Sequence, residues 1–101
     1  MRPRSELGDK FSLISGVRKV YYQPPESIKL EYPCIIYKLS KDWAIHANDR
    51  RYVGMRRYQV TVIDKEPDST IPTEVEKIPY CSFDRFFTSD NLNHFVYTIY
   101  H

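Results

Sequence analysis

The side chains able to do chemistry are few in this 101-residue chain, and their spacing decides what they could do. His46, His94 and His101 fall in three separate segments. No two of them stand one helical turn apart, the spacing that builds a zinc site. Carboxylates at that distance, such as Asp42 before His46 and Asp90 before His94, fall in segments that read as loop and turn rather than helix. Cys34 and Cys81 form no CxxC pair, and neither has a histidine at ligand spacing. Metal binding is therefore not expected. Asp84 and Asp90 flank a turn beside an aromatic strand; paired carboxylates can exchange protons, but no nucleophile is fixed beside these two. The three glycines, Gly8, Gly16 and Gly54, are too scattered for a phosphate-cradling loop. The expectation is a protein with no catalytic residue, no cofactor and no metal, and so not an enzyme.

Arginine and tyrosine carry the one repetition. Arg50-Arg51-Tyr52 returns as Arg56-Arg57-Tyr58. The spacing is even, so in an extended chain each residue shares a side with its repeat, about 20 Å away. Gly54, midway, is a place for a bend or bulge. Three readings fit: the solvated side of a long hairpin, a protein–protein contact, or a grip on nucleic acid. Single-strand binders do interleave arginine with aromatics. Against that, 15 basic and 13 acidic residues leave a net charge of only +2, weak attraction for a polyanion. No RNP, KH, zinc-finger or helix-turn-helix pattern is present.

These residues need elements to position them. With 42% apolar and 28% charged residues the chain reads as one globular domain over residues 1–101, with residues 1–4 as a loose end. Nine tyrosines and five phenylalanines favour strands and interfaces. The start, MRPRSELGDK, lacks the apolar core of a signal peptide, and no apolar run reaches membrane-spanning length. A soluble protein of a reducing cytoplasm is expected, with both cysteines as reduced, buried small hydrophobes.

Ser5 can cap a first helix that puts Leu7, Phe11 and Ile14 on one face; Gly8 weakens it and Gly16 stops it. Residues 17–22 read as a strand broken by Pro24-Pro25, and residues 26–31 as a surface crossing. After Pro33, the apolar run 34–39 reads as an internal strand. Residues 40–49 read as a loop or the far part of a hairpin, and the chain is extended from Arg50, with Tyr58, Val60 and Val62 alternating inward. A turn at 65–68 leads to two helical turns over 69–78, with Ile71, Val75 and Ile78 on one face and Pro79 as the stop. Strands over 80–87 and 95–100 follow, around a polar turn at 88–91. The expected fold is α+β, order α-β-β-β-α-β-β, a mainly antiparallel sheet with two helices on one face.

Four blocks of this sequence also resemble a known family. They are VYYQPPESIKLEYPCIIY over residues 20–37, RYQVTVIDKEPDS over 57–69, PYCSFDR over 79–85 and DNLNH over 90–94. Together they look like the tail terminator proteins of tailed phages and prophages, also called tail completion or head–tail joining proteins. The likeness runs over about residues 5–100, and the short, glycine-containing first helix departs from the usual pattern.

The resemblance implies an α+β fold and a structural job. Such proteins form a ring, commonly a hexamer, at the head-proximal end of the tail tube. The ring stops tube polymerisation and joins the tail to the head connector. The genome passes through the channel without specific binding, and no membrane is involved. The implied location is the virion tail or neck, after assembly in the host cytoplasm. Arg50, Arg51, Tyr52, Arg56 and Arg57 are then expected to meet an acidic patch on a neighbouring subunit or on the tail tube protein, or else to face the lumen. Two alternatives stay open: a head-closure or neck adaptor, and a small single-strand nucleic-acid-binding module using the Arg–Tyr arm.

Overall fold

The computed structural model describes residues 4–40 and 54–101. Helix α1 (Arg4–Ser12) forms where Leu7 and Phe11 lie one turn apart, and both are fully buried. Ile14 packs against the same core from just beyond the helix. Ser5 lies inside the helix and does not cap it. Arg4, expected in the loose end, is instead the first residue of α1 and holds its guanidinium 4.1 Å above the Tyr22 ring, a cation–π contact that fixes it. Gly16, at φ 95°, supplies the left-handed turn that carries the chain away.

Gly8 has a different use. A Cβ there would stand 2.6 Å from the Tyr37 hydroxyl, so the bare backbone lets the tyrosine close on the helix. The Tyr37 ring has little room to retreat, with ring centroids of Phe11 at 5.3 Å, Tyr22 at 4.9 Å and Tyr58 at 6.3 Å. Alanine is the better helix former by about 1 kcal/mol, yet Gly8→Ala is expected to lose about 1–2 kcal/mol net through overpacking. Urea denaturation checks this, and a stabilised variant would show that the ring yields freely.

The strands are β1 (Lys19–Tyr22), β2 (Cys34–Leu39), β3 (Arg57–Asp64), β4 (Cys81–Ser89) and β5 (Leu92–Tyr100), with helix α2 (Ile71–Glu76) between β3 and β4. They form one sheet in the order β1-β2-β3-β5-β4. The pair β1–β2 is parallel and every other pair antiparallel. The α+β class and the order α-β-β-β-α-β-β are as the sequence implied.

Period-two alternation builds the core. Ile35, Val62 and Phe95 form one row across the sheet, Tyr37, Val60 and Tyr97 the next, and Leu39, Tyr58 and Ile99 a third. Leu7 and Phe11 from α1, and Ile71 and Val75 from α2, close over that face. On the opposite face Tyr21, Cys34 and Ile63 make a smaller cluster.

Several boundaries shift for local reasons. The first strand starts at Lys19 because Val17 N–H is still turning, donating to Ile14 O at 3.3 Å. Helix α2 ends at Glu76, two residues early, as Lys77 and Ile78 N–H turn to the carbonyls of Glu74 and Val75. The polar turn narrows to Asp90-Asn91, at φ 53° and 62°, with Ser89 paired to Leu92. That is the hairpin turn with two left-handed residues, which Asp and Asn tolerate. The extended segment expected from Arg50 is seen from Arg57 onward; Arg50, Arg51, Tyr52 and His46 lie outside the described residues.

Candidate interaction surface

Arg56 and Arg57 sit at one end of the sheet. Arg56 and His101 exchange both backbone hydrogen bonds, each at 2.9 Å, and Arg57 pairs with Tyr100 as the first residue of β3. Ser40 N–H donates to Arg57 O at 2.8 Å from the other side. Both arginine side chains are half-buried. Burial raises the Tyr58 hydroxyl above its ordinary value, while the charge of Arg56 and its hydrogen bond to that hydroxyl oppose the rise. Arg56 is therefore partly an anchor of the sheet end.

The aromatic edge was not singled out by the residue types. Strand β4 is exposed from Ser82 to Ser89, and Phe83 is 55% exposed, Phe86 49% and Phe87 39%, with Tyr80 at 57% just before the strand. Its pairing with β5 shifts between Phe83 and Arg85, leaving Asp84 as an extra, bulged residue. In a regular strand, residues 83 and 86 would face opposite ways. The bulge puts both on the helix-bearing face, where Phe83 meets Tyr97 edge-on at 5.6 Å and Phe86 meets Phe95 at 4.9 Å. The signal was present in SFDRFF, whose aromatic spacing fits neither a regular strand nor a helix.

On the open face, Phe87 stacks on His94 at 4.5 Å and 13°, and the Arg85 guanidinium is 6.0 Å from the Phe87 ring. His94 Nδ1 is 3.2 Å from Leu92 O. A carbonyl can only accept, so Nδ1 carries the proton. Phe87 and His94, with Ile36, Lys38, Gln59 and Thr61, line a shallow concavity of about 610 Å³.

The groups that could have been catalytic are dispersed. Asp84 is paired with Arg85 at 3.0 Å. Asp90 lies in the turn, about 20 Å further along an extended strand. Cys34 is fully buried as expected, but Cys81 only half so, since it lies on the outermost strand. The two thiols are on opposite faces, with β3 and β5 between their strands, roughly 14 Å at ordinary strand spacing. That is beyond disulfide reach, and both are free. Burial pushes each thiol up to about 11, which keeps them in the unreactive protonated form. Among the described residues no group of three or more metal-ligating side chains gathers, and no helix is long and apolar enough to cross a membrane.

Buried phenols give a pH dependence. Burial, then the charge of Glu76, pushes the Tyr97 hydroxyl up to about 12, and burial raises Tyr37 and Tyr58 as well. A raised folded-state value means that the unfolded chain ionises first, so it binds fewer protons there. The stabilisation from Tyr97 is whole below pH 10 and is lost as the pH rises toward 12. Urea midpoints are therefore expected to fall steadily across that window, and Tyr97→Phe to flatten the fall.

No known protein family, curated protein or solved structure matches this chain.

Proposed function

We propose that this chain is a non-enzymatic assembly protein of a tailed-phage particle, a tail terminator that forms a ring at the head-proximal end of the tail tube. Its partners are copies of itself, the tail tube protein and the head connector or head-closure protein, and its place is the tail or neck of the virion. The observation that carries the reading is the exposed aromatic edge. Phe83, Phe86 and Phe87 lie outside a core that Leu7, Phe11, Val60, Val75 and Ile99 already fill. Large apolar groups left outside a completed core mark a protein-binding surface. The four blocks similar to the terminator family support the particular role, and they coincide with β1–β2, β3, the start of β4 and the hairpin turn. Arg56 and Arg57, with Arg50, Arg51 and Tyr52, supply the polar part of the contact.

The test is electron microscopy of particles made without this protein. The expected result is filled heads separated from tails of abnormal length. Separated tails of normal length would point to a head-closure or neck adaptor instead. Normal, head-attached tails would remove both.

One observation favours a second reading, a single-strand nucleic-acid-binding module. The Phe87–His94 stack lies on the open face with Lys38 lining the same concavity, an arrangement that can receive a flat base. That reading predicts oligonucleotide binding by the purified protein that falls steeply with salt. The assembly reading predicts no such binding.

A further inference from the structure

We propose that β4 is a self-pairing edge: two copies of this chain join β4 to β4, antiparallel about a two-fold axis between Asp84 and Arg85, into one continuous ten-stranded sheet. Three separate features of the strand select the same register, in which Phe83 of one copy faces Phe86 of the other and Cys81 faces Thr88.

The first is backbone direction. In an antiparallel pair, alternate residues turn their N–H and C=O toward the partner strand and the others turn them away. Tyr100 N–H donates to Tyr80 O at 3.2 Å, so Tyr80 and Ser82 turn toward β5, while Cys81 and Phe83 turn outward. Counting back from the hairpin turn, Ser89, Phe87 and Arg85 turn toward β5, while Thr88 and Phe86 turn outward. The bulge at Asp84 reconciles the two phases. The outward residues are thus Cys81, Phe83, Phe86 and Thr88, and the proposed register sets each of them opposite another.

The second is side-chain face. The two-fold axis stands perpendicular to the sheet, so side chains on the same face meet. Phe83, Phe86 and Cys81 belong to the helix-bearing face, and Thr88 follows by alternation from Phe86. Without the bulge, Phe83 and Phe86 could not be cross-strand partners. With it, two phenylalanine pairs form, one on each side of the axis, the kind of pair that stabilises a sheet.

The third is charge. The axis brings Asp84 of each copy beside Arg85 of the other, so the ion pair within the strand becomes a four-charge alternation. A register displaced by one residue either way sets like charges opposite each other. Of the usual guards against pairing, β4 contains neither lysine nor proline, and its bulge and its two charges are the features that the proposed register uses. A two-fold contact closes on itself, so it is one of the contacts between copies and takes Phe83 and Phe86, while Phe87 on the open face stays available to the head-to-tail contact that a ring repeats.

The experiment uses the full-length purified chain. Thr88→Cys is oxidised with copper phenanthroline and run on a non-reducing gel. The proposed register places the new thiol opposite Cys81 of the other copy, at about the 5.5 Å Cα separation that a disulfide accepts. Within one copy the two positions are too far apart on a single strand to join. A covalent dimer is expected, and it is expected to vanish in Thr88→Cys/Cys81→Ser and to be absent in Ser82→Cys, which faces the other side. Sedimentation equilibrium then tests the charges. Asp84→Arg or Arg85→Asp alone gathers like charges at the axis and is expected to weaken self-association by about tenfold or more. The double exchange restores the alternation and is expected to recover most of it. No cross-link with Thr88→Cys, or an equal one with Ser82→Cys, overturns the pairing, and a double exchange no better than the singles overturns the register. Virions lacking the protein test the tail role independently of either result.

Discussion

Phe11→Ala is expected to lower the free energy of unfolding by about 3–5 kcal/mol, the cost of removing a large aromatic side chain from a full core. The total for a domain of this kind is about 5–15 kcal/mol, so the variant stands near the edge of folding. The reason is how little holds the first helix down. Helix α1 has two fully buried side chains, Leu7 and Phe11, and Phe11 meets the Tyr37 ring edge-on at 5.3 Å and 70°. Removing it leaves a hole between helix and sheet and strips Tyr37 of its partner. At roughly 4–8 °C per kcal/mol, the melting temperature should fall by about 12–40 °C. Phe86→Ala is the matched comparison. It deletes the same atoms from a side chain half in water, and about 1 kcal/mol or less is expected. Urea denaturation of the two variants side by side settles the matter. Equal losses would mean that the core does not lie between α1 and the sheet.

The arginines divide into two pairs with different expected losses. Changing Arg56 and Arg57 to glutamine is expected to cost about 1–2 kcal/mol of stability, because Arg56 bonds to the Tyr58 hydroxyl and both stems are half-buried. Arg50 and Arg51 lie outside the described residues; on the sequence expectation of a solvated strand side, changing them stays within about 0.5 kcal/mol each. Assembly is expected to suffer in both. An arginine desolvated at an interface centre is worth about 2 kcal/mol or more, and the proposed ring would repeat the loss in every copy. The quadruple variant is therefore expected to be soluble and folded at low temperature but unable to cap tails. Denaturation curves and infectious titre measure the two effects separately. Wild-type titre from the quadruple variant would reduce the arm to a solvated segment.

The elements easiest to read in the sequence were those whose signal is local. CIIYKL became β2 with the bounds that the apolar run suggested, and Ile71 and Val75 became the buried face of α2. Leu7 and Phe11 face the core as their spacing required. What could not be read depended on partners distant in sequence. Nothing in residues 19–22 says that they pair parallel to β2, because that choice rests on where residues 23–33 bring the chain back. The aromatic run of β4 reads the same whether helices cover it or not, and among the described residues coverage is decided by two short helices elsewhere. Arg57 likewise looked like a member of an outer arm, yet its register against Tyr100 draws it into the sheet end. The bulge was the one non-local feature with a local sign, the broken spacing of Phe83 and Phe86 around Asp84.

The place of β5 has a consequence for how the protein is made. It follows the other four described strands in the chain but lies between β3 and β4 in the sheet. A ribosome adding about 5–20 residues per second delivers it after everything it must join. Until then Tyr58, Val60 and Val62 have β2 on one side and no strand on the other, and β4 has no strand beside it at all. Closure of the sheet is thereby postponed until Leu92–Tyr100 has cleared the exit tunnel. A chain broken off before Leu92 cannot settle into a slightly smaller version of this fold. An unpaired β3 edge is the kind of surface that chaperones and proteases act on, so translation that stops early is expected to yield no near-native chains to compete with whole ones.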